Sequence, residues 1–448
     1  MENSTAVDAD PGGVKNSLPL VEMLILQKTS VMSQKLSVDV RSEIGELESV
    51  IIHTPGAEVE NMTPENAERA LYSDILNLNI GLSEYSQLRG VLAKVAQTHE
   101  VRDLLKDIVE QPVVREELVD NICRNENTTD IREYLLDLPA NVLSTVLVEG
   151  VLMEKDNLTK FLDRGRYELM PLHNFFFMRD SAVCLSNKVI ISKMASVIRE
   201  RESLIMESVF RHHPEFGIET INPAHSPHGP NITIEGGDVI VAREDVLLVG
   251  TGTRTTSQGI DFLLAWYKQE KLSKHILVQE LPFKPESFIH LDMVFTFLDR
   301  DKCMVYEPVI LKPNKLQTVH IIVEEGKVVS IFNEENLLTA LNKLGFGLEP
   351  VICGGTADPW TQQREQWHSG ANFFAIAPGK VIGYARNTYT LEELSKHGFE
   401  IIKAKSVIKC QADINTYKKC VIAIEGSELA RGGGGARCMT MPVRRRPV

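Results

Sequence analysis

Near residue 430 the sequence reads Gly426-Ser427-Glu428-Leu429-Ala430-Arg431-Gly432-Gly433-Gly434-Gly435-Ala436-Arg437-Cys438-Met439-Thr440-Met441-Pro442. Because glycine lacks a Cβ atom, the four consecutive glycines allow left-handed or fully extended backbone that other residues avoid. A cysteine follows closely, and then a short apolar segment that reads as a strand. Such a loop would place the thiol on a mobile rim above a pocket, where a thiol indicates a nucleophile. The alternative is a flexible tail that happens to carry a cysteine.

The composition is that of a chain with a full hydrophobic core. It has 448 residues, 43% of them hydrophobic, which permits one large domain or a domain with an insertion. The net charge of -13 and the lack of a basic block argue against a nucleic-acid partner, so Arg444-Arg445-Arg446 reads as a solvated tail. Seven cysteines without short paired spacing indicate a reducing compartment. No apolar run approaches the roughly 18–20 residues of a membrane span.

Two segments differ in character from the rest of the chain. Residues 1–37 are rich in small and polar residues and lack the basic start of a signal peptide, so we expect a disordered leader or a misassigned start. Residues 38–448 are then predicted to form the folded domain. Within it, apolar pairs recur at helical spacing across residues 103–163, with charged residues between them and no strand pattern. This periodicity predicts a helical module inserted into the domain.

Beyond residue 167, short apolar runs alternate with helical stretches in a β-β-α-β order, which predicts an α/β fold. The order recurs without a repeat in residue identity. Most of the polar motifs fall near the ends of predicted strands, where such folds collect their site residues. Residues 405–419 look like extra length in this part of the chain, and the sequence indicates no function for them.

Two motifs place carboxylates where the chain would leave a strand. The run Phe175-Phe176-Phe177-Met178-Arg179-Asp180 ends an aromatic segment on a charged pair, and its plainer interpretation is a salt-bridged turn. The run Glu235-Gly236-Gly237-Asp238 sets two carboxylates around two glycines that would let a ligand approach the backbone closely. The carboxylates suit a cation or a histidine, and the plainer interpretation is a Gly-Gly turn.

A third motif, Ile289-His290-Leu291-Asp292, alternates as a strand does, so His290 and Asp292 would point to the same side. They could supply an acid/base and a hydrogen-bonding carboxylate, although most single histidines are structural. Arg199 and Arg254, taken alone, would be surface arginines. No P-loop, His-Glu-x-x-His or Cys-x-x-Cys pattern supports a metal or nucleotide site. One thiol, one histidine and several carboxylates together point to covalent chemistry on a cationic substrate.

Taken together, the motifs resemble the arginine deiminase family of guanidino-group modifying enzymes. The resemblance runs from about Ser42 onward and is carried by separated segments in the expected order: 42–45, 62–66, 174–180, 235–238, 290–292, 364–367, 383–390 and 427–442. It implies a five-bladed α/β-propeller of the pentein type, built from β-β-α-β modules, with a helical bundle inserted where residues 103–163 lie. It also implies hydrolysis of L-arginine to L-citrulline and ammonia, the first step of arginine catabolism by the deiminase pathway, without metal or other cofactor. The resemblance further implies a cytoplasmic homo-oligomer, dimeric or larger, without nucleic-acid or membrane partners.

The resemblance implies a role for each matched residue. Cys438 would attack the guanidinium carbon and form a covalent thiouronium. His290, held and charged by Glu235, would protonate the departing ammonia and then activate a water. Asp180 and Asp292 would each grip guanidinium nitrogens through charge-assisted hydrogen bonds. The other matched residues would bind or surround the substrate, with two arginines at its carboxylate: Arg199, Arg254, Asn174, Phe177, Asp238, Leu71 and Gly432.

Several alternatives stay open at this point. Agmatine deiminase, dimethylarginine hydrolase and amidinotransferase share the superfamily, but the paired Arg199 and Arg254 favour a substrate with an α-carboxylate. A catalytically silent arginine-binding protein is the alternative from another class, and the intact nucleophile and histidine argue against it. Gly433 stands where some relatives carry an arginine that contacts substrate, so that contact is in question. Because several carboxylates would raise the pKa of the Cys438 thiol, we expect the thiolate chiefly when a guanidinium is bound.

Overall fold

The computed structural model describes residues 37–64, 74–225 and 231–448, and these residues have a mixed α/β architecture. Apart from Ser37, the predicted leader lies outside the described residues, as does Leu71. The described strands, in chain order, are β1 Leu47–Ile52, β2 Gln97–Glu100, β3 Val151–Leu152, β4 Tyr167–Leu169, β5 Ala182–Leu185, β6 Lys188–Ile191, β7 Thr220–Ile221, β8 Val239–Arg243, β9 Val246–Thr251, β10 Lys274–Glu280, β11 Phe295–Phe297, β12 Lys302–Val305, β13 Thr318–Glu324, β14 Lys327–Glu334, β15 Glu349–Ile352, β16 Phe374–Ala377, β17 Lys380–Tyr384, β18 Glu400–Lys403, β19 Cys420–Ile424 and β20 Met441–Arg445.

The α-helices of the described residues connect these strands. In chain order they are α1 Ala57–Glu60, α2 Leu78–Val95, α3 Val101–Val109, α4 Pro112–Glu126, α5 Arg132–Asp137, α6 Ala140–Glu149, α7 Leu158–Leu162, α8 Glu200–His212, α9 Ser257–Gln269, α10 Glu307–Ile310, α11 Leu337–Lys343, α12 Pro359–Trp367, α13 Thr388–Lys396 and α14 Ala404–Ile408. None of the helices in the described part of the chain has the length and apolarity that crossing a membrane requires.

Five sheets in the described residues share one pairing pattern: an antiparallel pair of strands, one of which also pairs in parallel with a third strand. The pattern is β20-β1-β2, β5-β6-β7, β8-β9-β10, β11-β12-β15 and β16-β17-β19. In each sheet an α-helix lies between the middle strand and the parallel third strand, because a parallel partner requires a crossover. The β-β-α-β order predicted from the sequence is therefore present.

The pairing of β20 with β1 brings the residues after Cys438 into a sheet with the first described strand. Pro442 is tolerated there because β20 is the edge strand of its sheet and needs no ladder donor at that position. The prediction of a solvated arginine tail is wrong for Arg445, which is buried in β20 and donates a hydrogen bond of 2.7 Å to the Gly45 carbonyl. Arg444 and Arg446 both pair with Glu48 on β1.

Residues 101–162 contain α3 to α7, and the spacing correctly predicts buried apolar residues in α3 to α6, whereas no residue of α7 is buried. Leu104, Leu105, Ile108 and Val109 of α3 are buried, and α3 packs against α6. Burying each such side chain stabilises the fold by about 1.5–3 kcal/mol. The expectation of an uninterrupted helical pattern is wrong at one point, since the short strand β3 lies in this segment and pairs with β4.

One apolar core cluster leads directly to the predicted nucleophile. It joins residues of β1, α2, β17 and β19 to Phe177, Met293, Cys438 and Met439. The segment 405–419, which looked like extra length, contains most of α14 and a 3-10 turn at Ile414–Thr416, and Val407 packs into the same cluster. The loop that carries Cys438 thus packs into this hydrophobic core cluster.

Candidate active site

Glycine is required for different reasons at successive positions of the glycine-rich loop. A 3-10 turn at Leu429–Gly432 ends at Gly433, whose φ of 84° lies in the left-handed region that favours glycine. A Cβ atom on Gly434 would lie 2.4 Å from Cε1 of Phe177, so this position requires the absence of a side chain. The loop is largely buried, and Cys438 is 2% exposed. The thiol therefore lies in the interior, whereas the sequence predicted that it would lie on a mobile rim above a pocket.

The start of the loop is fixed by Glu84, a buried residue of α2. Its two carboxylate oxygens accept hydrogen bonds from the backbone N–H groups of Ser427, Glu428 and Leu429, at distances from 2.7 to 3.2 Å. A carboxylate that accepts several backbone N–H groups acts as the cap of the turn that follows. The sequence motifs gave no sign of Glu84, because its partners lie more than 300 residues further along the chain.

His290 is held between two carboxylates. Its Nε2 atom lies 2.8 Å from Oε2 of Glu235, and its Nδ1 atom lies 3.6 Å from Oδ1 of Asp180. The other Glu235 oxygen accepts a hydrogen bond of 2.9 Å from the Ala195 backbone, which fixes the carboxylate. A Cβ atom on Gly237 would lie 2.4 Å from Nδ1 of His290, so the group that approaches this glycine closely is the histidine ring.

The pKa values of this pair move in opposite directions. Burial lowers the pKa of His290, but Asp180 and the hydrogen bond to Glu235 outweigh it and raise the pKa to about 9. Burial raises the pKa of Glu235, but the hydrogen bond and charge of His290 outweigh it and lower the pKa to about 2. At neutral pH the pair is therefore an imidazolium and a carboxylate, poised to donate a proton.

His290 and Asp292 do not lie on a strand, so the local structure predicted for them is wrong. Leu291–Met293 form a 3-10 turn that precedes β11, with His290 immediately before it. Asp238 fixes this turn, since its Oδ1 accepts a hydrogen bond of 2.8 Å from the Leu291 backbone. Burial raises the pKa of Asp238 to about 6. Both His290 and Asp292 are nevertheless directed into one buried cluster with Cys438.

Asp292 is paired with Arg437, the residue that precedes the nucleophile candidate. Nη1 of Arg437 lies 2.8 Å from Oδ2 of Asp292, while its Nε and Nη2 atoms bind the two oxygens of Glu43 at 3.1 and 3.0 Å. All three side chains are buried. Arg437 and Glu43 belong to segments that carried the family resemblance, yet sequence reasoning gave them no role. Their function becomes visible only through contacts that span almost the whole chain.

The Cys438 thiol lies between Asp292 and a buried asparagine. Its Sγ atom is 3.7 and 3.9 Å from the two Asp292 oxygens and 3.1 Å from Nδ2 of Asn372. Burial and the negative charges of Asp292 and Asp180 raise the pKa of this thiol well above its ordinary value. Cys438 is therefore a neutral thiol in this structure. Asn372 was not predicted, because nothing in Gly370-Ala371-Asn372-Phe373 marks its side chain as chemical.

The residues predicted to bind substrate fall into two groups. Asn174 and Phe177 are buried beside the cluster, and Arg199 is buried with its guanidinium bound to the Asp180 carboxylate at 2.8 Å and to both oxygens of Glu202. Arg254 instead lines a surface cleft, together with Gly432. Both arginines lower the pKa of Glu235 and thus act on the same carboxylate. The structure does not place Arg199 along the cleft that Arg254 lines.

That cleft has a volume of about 650 Å³. It adjoins the buried cluster, because some residues that line it contact residues of the cluster or are next to them in the sequence. Ile289 lines it next to His290, and Ala195 lines it while its backbone holds Glu235. The rest of its lining includes Ser196, Thr253, Phe283, Phe288, Trp367 and Gly433. Across the three described stretches, no group of three or more histidine, cysteine, aspartate or glutamate side chains is arranged to hold a metal ion.

Known proteins resemble this chain over almost its full length. The family model described as arginine deiminase matches residues 68–445. The arginine deiminase of Bacillus cereus (strain B4264) is 33% identical over 439 residues, covering 92% of this chain and 100% of that protein. The arginine deiminase of Oenococcus oeni (strain ATCC BAA-331 / PSU-1) is 30% identical over 435 residues, covering 93% and 100%. Among solved structures, the amidinotransferase SxtG from the saxitoxin biosynthetic pathway of Microseira wollei has a TM-score of 0.52 and 13% identity, covering 92% of this chain and 98% of that chain, which is a likeness of fold.

Proposed function

This chain belongs to the arginine deiminase family, and we propose that it hydrolyses L-arginine to L-citrulline and ammonia through a covalent thiouronium on Cys438. One observation carries the proposal: a thiol, a histidine–glutamate pair and two further carboxylates converge in a single buried cluster. Two carboxylates facing a planar cation can hold its nitrogens and orient its carbon. The buried thiol then faces a cationic substrate, whose charge the carboxylates of the cluster would stabilise.

The first half of the reaction forms the covalent intermediate. Cys438 releases its proton to solvent as the guanidinium enters, and its Sγ atom forms a bond to the guanidinium carbon. The bond from that carbon to one terminal nitrogen then breaks, and His290 gives its proton to the departing nitrogen, which leaves as ammonia. Glu235 keeps His290 protonated until this step, while Asp180 and Asp292 hold the remaining nitrogens. The product of this half is a thiouronium cation and a neutral histidine.

The second half consumes one water. The neutral His290 takes a proton from that water, and the oxygen bonds to the thiouronium carbon. The carbon–sulfur bond then breaks and the hydroxyl proton passes to the departing sulfur, which leaves citrulline and the neutral thiol of Cys438. His290 is again an imidazolium, so the site returns to its starting charge. The balance is one arginine and one water converted to one citrulline and one ammonia, with one proton released.

The α-carboxylate of arginine would be bound at the cleft end of the site. Arg254 already lines the cleft, so it is positioned as the first contact for a carboxylate. Arg199 would join it by exchanging its contact with Glu202 for the substrate. The Gly433 position offers no side chain for this contact, and Gly432 lines the same cleft beside it. Asn174, Phe177 and Asp238 would then shape the buried end of the pocket.

The proposal extends to the architecture around the site. The five sheets that share one strand pattern would be five blades around the buried cluster, with the β20–β1 pairing joining the two ends of the described chain. Residues 38–448 would form the catalytic domain and residues 103–163 its inserted helical bundle. A cytoplasmic homo-oligomer, dimeric or larger, remains our expectation for the working protein.

Citrulline and ammonia release from L-arginine, agmatine and methylated arginines tests this function. We expect release from L-arginine, none from Cys438→Ala, and full activity in Cys303→Ala, a matched control whose buried cysteine lies in a different core cluster. Acid quenching during turnover should trap a labelled arginine fragment on the Cys438 peptide. Equal activity in wild type and Cys438→Ala would exclude the covalent mechanism.

The α-carboxylate of the substrate distinguishes L-arginine from agmatine, the substrate of one alternative function. Replacing Arg254 by Ala should lower kcat/KM for L-arginine by at least about tenfold, since a charge-assisted hydrogen bond contributes roughly 1.5–3 kcal/mol. Agmatine lacks the carboxylate, so its slow turnover, if any, should not change in the variant. A wild-type enzyme that prefers agmatine or a methylated arginine would contradict the assignment.

A further inference from the structure

We propose that Asn372 is a catalytic residue of this site, because its side-chain amide donates a hydrogen bond to the Cys438 sulfur and stabilises the thiolate that attacks the substrate. The inference rests on the proposed function for the identity of the nucleophile. It goes beyond that function by assigning a thiolate-stabilising group that the sequence motifs left without a role.

The orientation of the Asn372 amide is fixed by its own contacts. Its Oδ1 atom accepts hydrogen bonds from the backbone N–H groups of Arg437 at 2.9 Å and Cys438 at 3.3 Å. Two donors on that side require the oxygen there, so the NH2 group must face the other way. A rotated amide would set its NH2 group against two backbone N–H groups and lose both bonds.

The NH2 group therefore faces the thiol and its neighbours. Nδ2 lies 3.1 Å from Sγ of Cys438 and 3.1 Å from the Asp292 carbonyl oxygen, with the Met293 sulfur at 3.7 Å. One N–H can serve the carbonyl and the other the sulfur, so each hydrogen has an acceptor. The amide thus links the loop before β20 to the turn that carries Asp292.

The surroundings hold Asn372 in place. Its side chain is 1% exposed, and its backbone N–H donates to the Ser369 carbonyl at 3.0 Å. A Cβ atom on Gly435 would lie 2.6 Å from Oδ1 of Asn372, so the glycine loop is shaped to let this amide approach. A rigid donor at the sulfur requires no reorganisation when the charge develops, which is the condition for electrostatic stabilisation of a reacting atom.

The contact gains strength when the thiol ionises. A neutral thiol is a weak acceptor, whereas a thiolate accepts a charge-assisted hydrogen bond of about twice the strength of a neutral one. The two Asp292 oxygens near Sγ can only accept and therefore favour the protonated form, whereas the Gly435 backbone and the charge of Arg437 favour the thiolate. Among the described side chains that hydrogen-bond to Sγ, Asn372 is the one that donates to it.

Asn372→Asp separates the two functions of the side chain. The carboxylate can still accept the bonds from Arg437 and Cys438, but it has no N–H for the sulfur. We expect kcat to fall by about 10- to 100-fold with a much smaller change in KM, the range expected when one hydrogen bond to a charged group is lost. Asn372→Ala should change kcat in the same direction. Asn387→Asp is the matched control, since Asn387 is an equally buried asparagine that donates to the His368 carbonyl.

A second measurement follows the thiol itself and does not depend on turnover. The pH dependence of iodoacetamide alkylation is measured on the Cys438 peptide by mass spectrometry, with a non-reactive arginine analogue bound. Resolving that peptide matters because Cys410 is the exposed one of the seven cysteines, all of which lie in described residues. Asn372→Asp and Asn372→Ala should move the alkylation profile to higher pH by at least about one unit, and Asn387→Asp should not move it.

The outcomes distinguish this inference from the function on which it rests. If wild type releases no citrulline, the proposed function fails, yet the alkylation profiles still test the contact with Asn372. If turnover falls in both Asn372 variants while their alkylation profiles match wild type, the residue only positions the loop and the inference is wrong. Unchanged turnover in both variants would overturn it as well. Should Asn372→Asp fail to fold, Asn372→Ala carries the same comparison.

Discussion

Replacing Glu235 by Gln should reveal how the site keeps His290 protonated. The substitution keeps the shape of the side chain but removes the negative charge 2.8 Å from Nε2. In the intact protein the pKa of His290 is raised from 6.5 to about 9. At 1.36 kcal/mol per pKa unit, that elevation corresponds to roughly 3 kcal/mol of preference for the imidazolium, to which Asp180, Glu235 and Asp238 all contribute. The charge of Glu235 opposes the lowering effect of burial, so its loss should lower the pKa of His290.

This change predicts a rate effect that depends on pH. If the pKa falls from about 9 by about two pH units, the protonated fraction of His290 at about pH 8 falls roughly tenfold, whereas at about pH 6 it hardly changes. The ratio of wild-type to variant kcat at saturating L-arginine should therefore shrink as the pH is lowered. KM should change less, because Glu235 does not grip the substrate in the proposed mechanism.

Two measurements check the reasoning. The first is kcat across pH for both proteins, and the second is an NMR titration of ring-labelled histidine in a Cys438→Ala background, with His290→Asn used to assign the signal. Glu58→Gln is the matched control, because Glu58 forms a buried pair of 2.9 Å with His53 outside the cluster. A wild-type to variant ratio that stays constant with pH, or a His290 pKa that does not fall, would refute the argument.

The same pair affects stability with a defined sign. His290 has a raised pKa, so its contribution is fully present below its unfolded value of 6.5 and is lost as the pH rises through about 9. Glu235 has a lowered pKa, so its contribution is present above 4.5 and is lost as the pH falls through about 2. The difference in unfolding free energy between wild type and Glu235→Gln should therefore be greatest between these two unfolded values. Denaturant unfolding at several pH values measures it.

Further predictions concern the loop and its anchors. A non-reactive arginine analogue should lower the apparent pKa of Cys438 alkylation, and an unchanged pKa would contradict substrate-assisted ionisation. Arg437→Lys should reduce kcat/KM and lower the melting temperature, because a lysine cannot reproduce the forked contacts of the guanidinium. Breaking a buried pair such as that with Asp292 costs about 3–5 kcal/mol. Unchanged kcat/KM and melting temperature would show that the forked contacts are dispensable. Gly434→Ala should lower kcat through the clash of its Cβ atom with Phe177. The comparison is Gly433→Ala, where the space around a Cβ atom is open and only the left-handed backbone is strained. Equal kcat values for the two variants would contradict the packing argument.

The sequence predicted the members of the cluster better than their surroundings. Cys438, His290, Glu235, Asp180 and Asp292 were singled out from short motifs, and the structure brings them within one buried cluster. Cys438, Glu235 and Asp180 stood out beside glycines or aromatic residues, whereas His290 and Asp292 stood out by their alternation with apolar residues. Their roles in chemistry remain proposals, whereas the family indicated by the motifs is confirmed by the matching family model and relatives.

What could not be predicted depends on contacts between distant parts of the chain. Glu43, Glu84 and Asn372 contact the nucleophile loop across 65 to 394 residues of sequence, and no local pattern encodes such a partner. The strand expected at His290 was wrong for another reason. Alternation over a few residues fits a 3-10 turn as well as a strand. The hydrogen bond from the Leu291 backbone N–H to the Asp238 carboxylate favours the turn.

The charges of the cluster explain why a thiol with a raised pKa can still be the nucleophile. Each of the three carboxylates assigned to the reaction already forms an ion pair: Asp180 with Arg199, Glu235 with His290 and Asp292 with Arg437. A thiolate in the same buried space would be an unpaired negative charge, which burial makes costly, so the thiol keeps its proton. An entering guanidinium adds one positive charge beside these pairs, and the loss of the thiol proton offsets it. Ionisation of the nucleophile is thereby coupled to the presence of the cation it attacks, which would keep the free enzyme's buried thiol unreactive.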